Sequence, residues 1–322
     1  MRSLARGLGA ASNDGALTLR RGFAAALLAL CASLQPAGAA GPRNDYAVPA
    51  FTAAMEDGLR DFYVRDFNDA QQSFARALVV VPDNTLAISF MNAAAAHVPQ
   101  ALEKLIADEE SVVGKAPKDY VARVRLGFSY LFQRDAGRDR TLDARDELNA
   151  ALAIDPQGQA AHVGIGIMRE NERSANRAKV EFLAALRVDP NNVLAREYLG
   201  TIYQVDLHEP ATSLRYDVDV PNLVPGYADI QFHLASIMDD LQQYDAALAY
   251  AKRGIELDVG RAGEAGQYGY TLVARVLLRQ KKVAEAKKYL EQAVAFDADG
   301  MYAQKLLDQI AKGHYDDKQQ QR

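Results

Sequence analysis

The chain has 322 residues, 49% of them hydrophobic and 25% charged, with no tryptophan and a formal net charge of −5. That balance is one of folded soluble chains and excludes a disordered polymer. The first 39 residues hold Arg2, Arg6, Arg20 and Arg21 against Asp14, a charge of +3, so −8 falls on the remainder, which repels phosphate backbones and excludes nucleic acid as a partner class.

At the start of the chain, the apolar run Gly22 to Leu34 follows Arg20-Arg21 and precedes the small-residue stretch Ala37-Gly38-Ala39. This pattern predicts a secretory signal peptide over residues 1–39, because the run falls short of the roughly 20 residues a spanning helix needs. Export to the periplasm of a Gram-negative bacterium follows. A mitochondrial presequence shares the arginine-rich start, but the compact apolar block fits bacterial export better. Arg20-Arg21-Gly22-Phe23 partly resembles a twin-arginine signal, and the alternative to cleavage is a lipid anchor through Cys31, the only cysteine, although bulky Leu30 precedes it. Cleavage after Ala39 leaves a mature chain with no thiol and no disulfide. No later segment reads as a transmembrane span.

Residues 40–50 read as a linker, 51–312 as one repeat domain and 313–322 as a polar tail. Limited glycine and proline, 22 and 11 residues, favour helices. The series Ala70, Phe74, Ala77, Leu78, Pro82 returns as Ala144, Leu148, Ala151, Leu152, Pro156, and as Ala178, Phe182, Ala185, Leu186, Pro190. Weaker copies begin at Ala247 and Ala286. Offsets of 0, 4 and 7 lie on one helix face, where alanine lets a neighbouring helix approach and the larger residue fills the gap. Upstream, Leu126-Gly127 with Tyr130 and Leu199-Gly200 with Tyr203 mark a preceding helix. The prolines end each second helix.

These residues resemble the tetratricopeptide-repeat family, whose unit carries Leu-Gly and Tyr on a first helix and Ala, Phe, Ala-Leu and Pro on a second. The resemblance implies an all-α fold, a right-handed superhelix of seven hairpins: Phe51–Asn84, Thr85–Lys118, Asp119–Gln157, Gly158–Asn192, Val193–Gly226, Tyr227–Val259 and Gly266–Ala298, capped by a helix over Met301–Lys312. Departures are expected at three places. A first helix in the second unit is read over Ser89–His97, a charged insertion separates the helices of the third unit over Gln133–Asp143, and Asp217–Pro225, with two prolines, reads as an extended loop. Gly260, Gly263, Gly266 and Gly269 suggest a pliable joint or a helix end packed tightly on its neighbour.

Nothing in the chain reads as a catalytic or cofactor motif, and no enzyme activity, metal or cofactor is expected. The histidines, His97, His162, His208, His233 and His314, show no i, i+4 pair and have no cysteine partner, so they read as surface or helix-packing residues. Asp217, Asp219 and Asn222 lack the glycine and distal glutamate of a calcium loop. Gly164-Ile165-Gly166 lacks a third glycine and the strand that dinucleotide binding requires. Asp239-Asp240 reads as solvating charge.

Carried over from the family's pattern, the groove-lining positions are Phe128, Leu131, Ile167, Glu170, Thr201, Gln204, Phe232, Ser236, Asp239 and Arg275. Family members that grip carboxylate tails carry several basic residues there, and only Arg275 matches. The mixed apolar and acidic lining instead suits an amphipathic helix or a neutral extended segment. An equal alternative makes Phe128, Leu131, Ile167 and Phe232 core residues between hairpins. The expected function is a non-enzymatic scaffold or adaptor in the cell envelope, holding a protein or peptide partner from envelope or secretion machinery. Two other readings stay open: an enzyme or accessory subunit acting on envelope polymers through the loop insertions, and a structural homo-oligomer joined through the end helix.

Overall fold

The computed structural model describes residues 43–135, 139–260, 268–296 and 301–313; the expected leader, His314, and Gly263 and Gly266 lie outside these. The chain is all-α, a superhelix of helical hairpins, with no strand among the described residues. In chain order the helices are α1 (Pro49–Tyr63), α2 (Phe67–Val80), α3 (Thr85–Ala96), α4 (Ala101–Lys115), α5 (Tyr120–Asp135), α6 (Thr141–Ile154), α7 (Gln159–Asn171) and α8 (Ala175–Val188). They continue as α9 (Val193–Thr201), α10 (Pro210–Asp217), α11 (Ala228–Asp240), α12 (Tyr244–Leu257), α13 (Tyr270–Arg279), α14 (Val283–Phe296) and α15 (Met301–Ala311), the last being the expected end helix.

Local chemistry sets the helix starts. Asn84 and Asn192 accept from the amides of Ala87 and Ala195 at 3.0 and 2.9 Å, and Asp119 accepts from Ala122 at 3.1 Å, each satisfying an amide that has no partner inside its helix. The turns inside the hairpins have a signature the sequence hides. Arg65, Gln100, Arg173, His208, Gln242 and Lys281 all adopt positive φ, between 55° and 68°, although none is glycine. At five of these turns the following amide reaches back across the turn, as Asp66 N to Asp61 O at 2.8 Å and Gln243 N to Met238 O at 2.8 Å, closing the orphan carbonyls of the first helix.

The alanine seams pack as expected. Ala70, Ala77, Ala144, Ala151, Ala178 and Ala185 are fully buried, as are Phe74, Leu148 and Phe182 between them. Each bulky residue rests on a glycine of the preceding helix: a Cβ added at Gly58, Gly127 or Gly166 would lie 2.6, 2.7 and 2.6 Å from Phe74, Leu148 and Phe182 respectively. A side chain there would push the two helices of the hairpin apart, and each buried aromatic contributes about 2–3 kcal/mol only while they stay in contact.

Three expectations are corrected. The first helix of the second unit begins at Thr85, because Asn84 caps it, not at Ser89. The charged insertion of the third unit is largely helix: α5 runs to Asp135 and α6 starts at Thr141, with residues 136–138 outside the described part. Asp217–Pro225 is not an extended loop. Asp217 ends α10, and Val220–Leu223 forms one helical turn with Pro221 at its start, where proline's missing amide costs nothing. Of the glycines before α13, Gly269 is packed tightly, since a Cβ there would lie 2.6 Å from the Phe232 ring.

The early hairpins also touch the later ones. The Gly260 amide donates to the Tyr63 carbonyl at 2.6 Å, the Ala228 amide donates to the Tyr63 hydroxyl at 3.1 Å, and the Phe90 and Tyr227 rings meet edge-on at 5.6 Å. Loops join in the same way. Arg43 bridges Asp45 and Asp83, Gln159 donates to the Asp83 carbonyl at 3.1 Å, and Asn191 donates to the Arg43 carbonyl at 3.2 Å.

Candidate functional site

Because the hairpins close on one another, the first helices α1, α3, α5, α7 and α9, with the start of α11, surround a cavity of about 560 Å³. Four of the ten expected groove residues, Phe128, Leu131, Ile167 and Thr201, line it together. The rest of its wall is rich in aromatics, with Phe62, Phe90, Phe132, Tyr198 and Tyr227, none of which belonged to the expected set. Phe62 and Phe90 were missed because α1 and α3 meet later units of the chain across the cavity, a contact that no period of 34 residues encodes.

The two carboxylates of the lining accept hydrogen bonds from tyrosines, whereas the buried Ser89 hydroxyl has no hydrogen-bond partner. Tyr227 donates to Glu197 at 2.6 Å, and Tyr63, just outside the lining, donates to Asp229 at 3.3 Å. Burial, reinforced by the nearby carboxylates, raises both tyrosines well above their ordinary range, so both hydroxyls stay protonated as donors. His97 and Asn171 are solvent-exposed and mark where the cavity meets water. His97 stacks on Phe67 with centroids 4.3 Å apart, and burial together with Arg65 lowers its pKa, which disfavours its charged form.

The other six expected groove residues lie elsewhere. Phe232 is fully buried and packs on Gly254 and Gly269, which answers to the core alternative. Gln204 sits in a π-helical turn, Ile202–Asp206, that extends α9, and donates to Ser236 at 2.9 Å and to Asp240 at 2.5 Å. Asp239 is fully buried and is held by Arg275 at 3.0 Å and Arg279 at 3.2 Å. Arg275 is therefore committed to a carboxylate of its own chain. Glu170 has one buried oxygen without a hydrogen bond, and burial, with Asp206 adding to it, raises its pKa.

Two of the histidines act as helix-packing groups. His162 pairs with Glu181 at 2.7 Å between α7 and α8, and His233 lies 3.1 Å from the fully buried Asp217, whose carboxylate presses on Gly200. Asp217 is thus an interior helix residue. No helix of the described residues is long and apolar enough to cross a membrane.

The cavity also sets what can enter. Its volume of about 560 Å³ lies in the range of sites that enclose a small group or a few side chains.

Comparison with known proteins agrees with this architecture. The tetratricopeptide-repeat family model matches residues 228–258 and 268–299, the hairpins of α11–α12 and α13–α14. The type IV pilus assembly protein PilF of Pseudomonas aeruginosa is 23% identical over 171 residues, 53% of this chain and 64% of that protein, so the match spans a little under two thirds of the relative's length. Among solved structures, PilW, a type IV pilus biogenesis factor, superposes with a TM-score of 0.51 at 18% identity over 61% of this chain and 86% of that one. P. aeruginosa PilF superposes with a TM-score of 0.48 at 16% identity over 81% and 97%. Over residues 228–258 and 268–299, the hairpins that the family model matches, the chain carries tetratricopeptide repeats.

Proposed function

We propose that this protein is a non-enzymatic scaffold or adaptor of the cell envelope that docks a protein partner by taking a short segment of it into the central cavity. The observation that carries this reading is the convergence of first helices from five successive hairpins, and the start of a sixth, on one aromatic-lined space that opens at His97 and Asn171. A few large anchors in a desolvated pocket supply most of the affinity in such interfaces. In this reading residues 1–39 direct export and are removed, 40–50 link, 51–312 dock the partner and 313–322 form a tail. Leu131, Ile167 and Thr201 form the docking floor, with the fully buried Phe128 supporting it from the core. The names of PilF and PilW, which concern pilus assembly and biogenesis, favour a partner from an assembly or secretion machine of the envelope.

Photocrosslinking tests it. A benzophenone side chain at Ile167, inside the cavity, is compared in an envelope extract with one at Val180, which is 61% exposed on a second helix. A partner trapped from Ile167 and not from Val180 supports the reading. Identical products from both positions overturn it.

A further inference from the structure

The cavity wall combines two chemistries that together select one kind of guest. Its apolar part is aromatic: Phe62, Phe90, Phe132, Tyr198 and Tyr227 offer ring faces and edges, and Phe128 is fully buried among them. Its ionisable part is acidic, since Glu197 and Asp229 are the carboxyl groups of the lining and neither lysine nor arginine belongs to it. The one histidine of the lining, His97, does little to offset this, because partial burial and Arg65 lower its pKa and disfavour its charged form. Arg65 itself lies outside the lining, 6.0 Å over the Phe67 ring. Aromatic faces attract cations through their quadrupole, the more strongly when water is excluded, and carboxylates add direct charge complementarity.

We infer that the cavity is a receptor for a basic side chain, arginine or lysine, presented by the partner's docking segment, with the aliphatic stem against the phenylalanines and the cation toward Glu197 and Asp229. This rests on the docking reading above and specifies its anchor. The geometry accommodates it. The space is large enough for one long side chain with its flanking residues. Long basic side chains bury an apolar stem readily while keeping the charged head among polar groups. It also inverts the recognition expected from family members that bind carboxylate tails, because here the receptor supplies the carboxylates.

Calorimetric titration of the full chain with three blocked dipeptides tests it: acetyl-Leu-Arg-amide, the near-isosteric neutral acetyl-Leu-citrulline-amide, and acetyl-Leu-norleucine-amide. The arginine peptide is expected to bind roughly tenfold tighter than the citrulline peptide. The variant Glu197→Gln should remove most of that preference, with its helical spectrum as the folding control. The comparison of peptides on the unmodified protein needs no variant to fold. Equal or tighter binding of the citrulline or norleucine peptide overturns the cationic anchor and leaves the cavity as a docking site for neutral groups. Binding of none of the three overturns the cavity as a docking site and the anchor with it.

Discussion

Asp239 and Arg275, one helix apart in the array, form an ion pair of 3.0 Å in which the aspartate is fully buried and Arg279 holds its second oxygen at 3.2 Å. Burial raises the pKa of Asp239, and the two arginines oppose that shift. Either arginine alone keeps the carboxylate compensated. Arg275→Met and Arg279→Met are therefore each expected to be mild, whereas the double variant strands a buried charge and costs about 3–5 kcal/mol. A double-mutant cycle by urea denaturation checks this, and strict additivity of the two single effects would count against it.

Phe232 sits between two glycines. A Cβ at Gly254 would lie 2.6 Å from its ring. Gly254→Ala should destabilise by about 1–3 kcal/mol through overpacking, and Phe232→Leu in the same chain should restore part of the loss. Thermal melts of the two single variants and the pair read this out. No rescue by the smaller residue would mean that the strain lies elsewhere.

Glu109 is buried beside Ser129, and desolvation pushes its carboxyl up to about 7 from an ordinary 4.5, with Ser129 and Arg125 pulling the other way. Its folded pKa lies above the unfolded one, so the stability it contributes is complete below about 4.5 and is lost as pH rises through about 7. The loss amounts to about 3 kcal/mol at 1.36 kcal/mol per pH unit. Glu109→Gln should flatten the fall in stability across this window. Parallel pH profiles for the two proteins would show that Glu109 does not titrate there.

Arg173 and Lys281 occupy left-handed backbone at φ of 56° and 63°. Glycine tolerates that conformation without the Cβ clash, which costs other residues about 1–2 kcal/mol, but it loses more chain entropy on folding. Arg173→Gly and Lys281→Gly should each stabilise, by up to about 1 kcal/mol. A lower denaturation midpoint for either would contradict this.

The fold was legible because its signal is local and repeated. Ala178, Phe182 and Ala185 with the proline at 190 specify a helix, its buried face and its end within a few residues of chain, and the same order returns along the sequence. The hairpin turns were less legible. Arg65 and Gln242 adopt positive φ without the glycine that usually announces it, because back-bonds from the next residue hold the turn. Asp217–Pro225 was misread because two prolines look like loop chemistry until one of them is seen starting a helical turn.

Sequence by itself determined that the helices form, that they pair, and which face of each second helix is buried, since those depend on spacing and side-chain size within one unit. The tertiary structure alone decided which first-helix residues face a cavity and which pair with one another. Phe62 and Ile167 line one cavity, and Tyr63 meets Asp229, only because the array curls until distant units touch. That curl is the sum of small packing offsets between neighbouring helices, and no single repeat contains it.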